Sequence, residues 1–185
     1  WKKLEGNAVY LLKREKDYEN LLGNILKNSN NLMLIDSYMK PNDEYKPMIE
    51  ICASLLSKHF TNPSYIEFHT SYKRQNHMDD NENEINFNRE KANWEKYLNI
   101  LKSKYKHTYK LFYWDKNLDD SKLHDRYIIT NLMGIGSQHS FGESENQETR
   151  WSLLDEDEII KHKIDYGQSQ PKFKLKCAPV TIIGI

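Results

Sequence analysis

Lys122-Leu123-His124-Asp125-Arg126-Tyr127-Ile128-Ile129-Thr130-Asn131 is the stretch from which the rest of the chain is read. Lys122 to Thr130 reads as a strand. Side chains alternate along a strand, so His124, Arg126 and Ile128 share one face, and Asp125, Tyr127 and Ile129 the other. A histidine and an arginine two residues apart on one face make a compact phosphate site. Arginine presents a permanently charged fork that matches phosphate oxygens. Histidine supplies a nucleophile or a general acid near neutral pH. Met133 to Gly136 reads as a further strand, with Asn131-Leu132 as the tight connection. Small residues in Gly134-Ile135-Gly136-Ser137-Gln138-His139 would let the backbone approach a ligand closely. Ser137 and His139 would then project towards the same site.

Outward from this stretch, helices and strands alternate. Lys13 to Lys27 reads as a helix, with Tyr18, Leu21, Leu22, Ile25 and Leu26 at helical spacing. The continuous apolar run Leu32-Met33-Leu34-Ile35 reads as a buried strand. Pro47 opens a second helix, whose apolar face is Met48, Ile51, Cys52, Leu55 and Leu56. Asn62-Pro63 ends it, and Ser64 to His69 alternates as a strand. Gln75 to Asn88 is polar and reads as an exposed loop. Arg89 to Tyr105 is a long helix with Trp94, Tyr97, Leu98 and Leu101 on its core face. Tyr109 to Trp114 is a strand, and Asp115 to Ser121 a loop. Ser140 to Arg150 reads as a second polar loop, Trp151 to Leu154 as a short strand and Asp155 to Lys163 as a helix with acids in its first turn. Pro179 to Ile183 is the last strand. Alternation of this kind predicts an α/β layered sheet in a single domain spanning 1–185, with its core at about 30–165. Helix 13–27 and the tail from Gly167 read as appendages. Both ends read as cuts from a longer protein.

The 185 residues suffice for one domain with a sizeable core. Twelve Tyr and four Trp favour a packed domain over a disordered chain. The 27 basic and 27 acidic residues cancel, which argues against a tail-like polycation but not against a local basic cleft. Cys52 and Cys177 form neither a disulfide framework nor a zinc site. They read as buried thiols in a reducing, cytoplasmic compartment. No apolar run reaches the roughly 20 residues that a membrane-spanning helix needs.

The HDR stretch, with Gly136-Ser137 beyond it, resembles one half of a phospholipase-D-like domain. That family's pattern is His-x-Lys-x4-Asp followed by Gly-Ser-x-Asn. Here His124 takes the His place, Arg126 the Lys place, Asn131 the Asp place and His139 the final Asn place. Asp36-Ser37-Tyr38, closing the apolar strand, resembles the first strand of many single-motif members. The resemblance covers Leu32 to about Leu154 and implies a mixed sheet flanked by helices. It also implies metal-independent phosphodiester chemistry with no cofactor: one histidine attacks phosphorus, and a second, from another motif, protonates the leaving group. A chain with one motif would pool sites in a homodimer, or act within a larger multidomain assembly. Alternatively, His139 would be the second histidine. Similar HDR variants occur in bacterial defence and mobile-element proteins, and some related domains bind phosphorylated ligands or partners without catalysis.

The expectation is therefore a hydrolase, most simply a nuclease in antiviral defence or DNA mobility. His124 would be the nucleophile, Arg126 the phosphate clamp, and Ser137, His139 and Asn131 auxiliary groups. Asp36 leaves a buried strand where α/β sheets place ligands. Lys73 and Arg74, beside Tyr72, His69 and His77, would grip a nucleic-acid backbone by DNA-binding electrostatics. The competing expectation is a catalytically inactive domain that binds a phosphorylated ligand or partner. A metal-dependent nuclease built on Asp36, Glu67 and His69 is a weaker alternative. Asn131, read from its residue type alone, is a turn residue. His59, His107 and His162 read as surface residues.

Overall fold

The computed structural model describes residues 8–57, 64–115, 126–142, 144–167 and 171–184. These residues form an eight-stranded mixed sheet flanked by four helices. In chain order the elements are β1 (Ala8–Lys13), α1 (Glu15–Leu26), β2 (Asn31–Asp36), α2 (Lys46–Ser57), β3 (Tyr65–Tyr72) and α3 (Asp80–Tyr105). They continue with β4 (Thr108–Asp115), β5 (Arg126–Thr130), β6 (Gly134–Ser137), β7 (Ser144–Leu153), α4 (Glu156–Asp165) and β8 (Val180–Ile182). The strand order is β1-β7-β6-β5-β2-β3-β4-β8. β2, β3 and β4 run parallel through helical crossovers, and every other pairing is antiparallel.

Two apolar layers explain the sequence of β2. Leu32 and Leu34 face a core that α1, α2 and α3 complete with Tyr18, Leu22, Met48, Cys52, Trp94 and Leu98. Met33 and Ile35 face a smaller cluster of Phe112, Trp114, Ile129, Leu154, Tyr166 and Phe173. A strand covered on both faces has no polar alternation to show. β5 divides the same way, with Ile128 in the large core and Ile129 in the small one, as the alternation of Arg126 and Tyr127 requires.

Four expectations are corrected. Lys13 belongs to a strand, not a helix: β1 pairs antiparallel with β7, placing Val9 and Leu11 on the core and Tyr10 outside. The polar stretch 75–88 is helical from Asp80. Asp79 Oδ1 accepts the Glu82 N–H at 2.8 Å and Glu82 Oε2 accepts the Asp79 N–H at 3.0 Å, a capping box that starts α3. The side chains are polar because that half of the helix faces water. Ser140 to Arg150 is likewise mostly β7, whose inward residues are Thr149 and Trp151. The tail is an integral edge: Asp115 N–H donates to Lys174 O and Lys176 N–H to Tyr113 O, each at 2.8 Å, before β8 pairs with β4. The sheet thus extends beyond a core of 30–165 at both ends. No helix of the described residues is long and apolar enough to cross a membrane.

Candidate functional site

Asp36 closes β2, and Arg126 opens β5 as its antiparallel register partner. Both share strand parity with Leu34 and Ile128, so both face the helix layer at one end of the sheet. Asp36 is fully buried. Its Oδ1 accepts the Tyr38 N–H and its Oδ2 the Phe141 N–H, each at 2.9 Å. Burial pushes its carboxyl above the usual range, against those two bonds and the Arg126 charge. Asp36 therefore ties two loops together. The 138–142 loop is pinned further: Tyr18 OH donates to Phe141 O at 2.9 Å, Tyr45 OH meets Ser140 Oγ, and Ser137 Oγ donates to His139 O at 2.7 Å.

Arg126 is half-buried and lies over this loop. One terminal nitrogen donates to Gln138 O at 3.3 Å, and the guanidinium lies 5.6 Å from the ring centroid of Tyr38, itself 41% exposed. Ser137 and His139 are half-buried beside it. The structure thus gathers Asp36, Arg126, Ser137 and His139 at one end of the sheet. His124 and Asp125 lie outside the described residues.

Lys13 is a neighbour that sequence reasoning missed. A bulge between Leu12 and Lys13 interrupts the β1 register, and the buried Nζ donates to Gln147 Oε1 at 2.9 Å. Burial pushes its ammonium pKa down, opposed by the charges of Glu44 and Asp36. The short continuous apolar run Ala8 to Leu12 was the available signal for this strand.

Other expected site residues lie elsewhere. Asn131 lies just past the opposite end of β5, five residues or roughly 16 Å along the chain from Arg126. Its Oδ1 accepts the N–H groups of Asn30 and Asn31 at 3.0 and 3.4 Å, so it caps the entry to β2. Gly134 and Gly136 serve packing rather than ligand approach. A Cβ on Gly134 would meet Ile159 at 2.9 Å, and one on Gly136 would meet Tyr127 at 3.1 Å. Lys73 and Arg74 follow β3 at the same sheet end as Asp36, exposed, with Arg74 paired to Asp80.

Glu67 and His69 project to the face opposite Asp36, which separates the three residues of the metal-nuclease alternative. His69 is fully buried, stacked on Phe112 at 4.6 Å, and its Nδ1 accepts from Trp114 Nε1 at 3.3 Å. Glu67 Oε2 stands 3.5 Å from Nε2, too far for a strong bond. His107 and His162 are buried as well, not surface residues. Burial pushes the pKa of His69 down, and that of His107. Below the ordinary histidine range, near pH 6.5, the unfolded chain takes up protons that the folded one refuses, so stability falls as pH falls. We expect melting temperature to drop between about pH 8 and pH 5.5, with a slope of at most about 1.4 kcal/mol per pH unit from each histidine. His69→Phe should flatten that slope in calorimetry, and an unchanged slope would exclude His69 as its source.

No family model and no curated protein matches the chain. Among solved structures, the chain is similar to TrmBL2, an archaeal chromatin protein reported with a novel mode of DNA binding. The identity is 12% and the TM-score 0.44, over 95% of this chain and 57% of that one. The chain therefore spans little more than half of that protein, and a likeness of this size leaves the functional argument to the site.

Proposed function

We propose that the Asp36–Arg126 end of the sheet handles phosphodiesters. In this reading the chain is a metal-independent phosphodiesterase of phospholipase-D type, with nucleic acid as its substrate. The supporting observation is the placement of Arg126. It stands at a sheet end over a tethered loop, with a guanidinium a ligand can reach and a buried carboxylate as its register partner. Phosphoryl transfer needs fixed positive charge where negative charge develops, and a pre-positioned arginine supplies it. His124 precedes Arg126 by two residues, the spacing of side chains on one strand face. It would attack phosphorus, the bond to the leaving oxygen would break, and water would then hydrolyse the phosphohistidine. The leaving oxygen needs a proton, from His139 or from His124 of a second copy in a homodimer.

A second reading is a catalytically silent phosphate-binding domain. The position of Asn131 favours it, since the residue in the family's acidic place is engaged at the far end of the strand.

Cleavage of labelled single- and double-stranded DNA and RNA in excess EDTA, by the wild type and His124→Ala, separates the two. Cleavage that survives EDTA and disappears in the variant supports the enzyme. Folded protein that cleaves nothing, yet melts higher in millimolar phosphate, supports the binder. Cleavage that requires added metal would sink the metal-independent reading.

A further inference from the structure

The segment that leaves Asp36 does not end at the candidate site. Tyr38 lies against Arg126, and two residues later Lys40 enters a separate cavity of about 390 Å³. Met39 O accepts from Thr70 Oγ1 at 2.9 Å, and Ser37 O accepts from Ser71 Oγ at 2.8 Å, so the end of β3 holds this segment in place. The opposite wall is one face of α3. Asn86, Arg89 with Glu90, and Asn93 recur at i, i+3/i+4 and i+7, which puts them in a row. Asn42 and Gln75 also line it. Arg89 donates to Asn86 Oδ1 at 2.6 Å, and Lys40 pairs with Glu90 at 3.4 Å. Lys73 and Arg74 follow directly from the β3 end that borders this cavity.

We propose that this cavity is a nucleotide subsite, which takes the base and sugar next to the phosphate held at Arg126. The inference rests on the phosphate reading of that site and extends it to a substrate class, a single nucleic-acid strand. Four observations carry it. The cavity lies at the carboxyl ends of parallel strands β2 and β3, where open α/β sheets bind ligands. Its volume lies within the range of small-ligand pockets, at the lower end that suits one nucleotide. Its walls carry amide side chains, which match the donor–acceptor edges of bases, along with two cations. Pro41, Tyr72 and Met78 stand among these polar groups and give the face of a base or sugar apolar surface to rest on. Unpaired bases suit such a pocket because their edges are free of Watson–Crick partners.

The test uses fluorescence anisotropy of labelled single-stranded DNA and RNA of roughly 12 nucleotides, alongside the rise of melting temperature in inorganic phosphate. Asn86→Ala/Asn93→Ala and Arg89→Met change exposed or half-buried helix positions, so these variants should fold. The double variant should weaken oligonucleotide binding by about tenfold, and Arg89→Met should lower the salt slope by about one. Both should keep the wild-type response to phosphate, whereas Arg126→Ala should lose both responses. Oligonucleotide binding by the double variant within twofold of wild type overturns the subsite. A wild type that answers phosphate, or phosphatidylglycerol vesicles, but no oligonucleotide overturns the subsite and leaves the phosphate reading standing. A wild type that answers none of these overturns both.

Discussion

Arg126→Ala should reduce phosphodiester cleavage by about 10² to 10³-fold, the loss seen when one preorganised charge-stabilising donor is removed. The expectation follows from where the guanidinium sits. It opens β5 opposite Asp36, is anchored by Gln138 O at 3.3 Å, and rests near the exposed Tyr38 ring. None of these contacts holds the sheet together, so the variant should fold and the loss should fall on binding and turnover. Arg126→Lys should recover only part of the rate, because a point charge cannot reproduce the bidentate fork. Steady-state kinetics on a short oligonucleotide, with circular dichroism to confirm folding, would measure both. An Arg126→Ala variant with wild-type turnover would remove the clamp from the mechanism.

Asp36→Ala should act mainly on stability, lowering it by about 2–4 kcal/mol. The two N–H groups that Asp36 satisfies, the buried one of Phe141 and the part-buried one of Tyr38, would lose their acceptor. Each such loss costs roughly 1–3 kcal/mol. The gain from no longer burying a carboxylate offsets part of this, since burial already pushes Asp36 towards its protonated form. For a chain of this length, melting temperature should fall by roughly 5–15 °C. The 138–142 loop should loosen as well, and amide exchange at Phe141 should accelerate more than in β3 or β4. A shift of under about 2 °C would mean that water or a neighbouring group replaces the carboxylate, and that Asp36 is not the tether.

The sequence alone determined the elements whose burial is uniform or sharply periodic. β2, α2, β4, and the core faces of α1 and α3 could be read directly, because each buries a face that must be apolar wherever it sits in the fold. The face logic of β5 was legible for the same reason: alternation is local geometry, and Arg126 and Ile128 share a side in any sheet. The candidate site was legible as far as one strand reaches.

What only the tertiary structure decided lies in contacts between segments far apart in the chain. The polar strand β7 exists because β1 and β6 supply its hydrogen-bond partners, which no pattern within Ser144 to Arg150 records. The polar half of α3 is a helix because Asp79 and Glu82 cap it and Asn83 ties it to Gln75 and Tyr72. The buried Lys13 reached the site's neighbourhood because β1 runs along β7. Asn131 left the site for a similar reason: its chain position follows Arg126 by five residues, and an extended strand carries it to the other end of the sheet. Local sequence sets which face a side chain takes, while strand pairing across the fold sets which distant residues stand beside it.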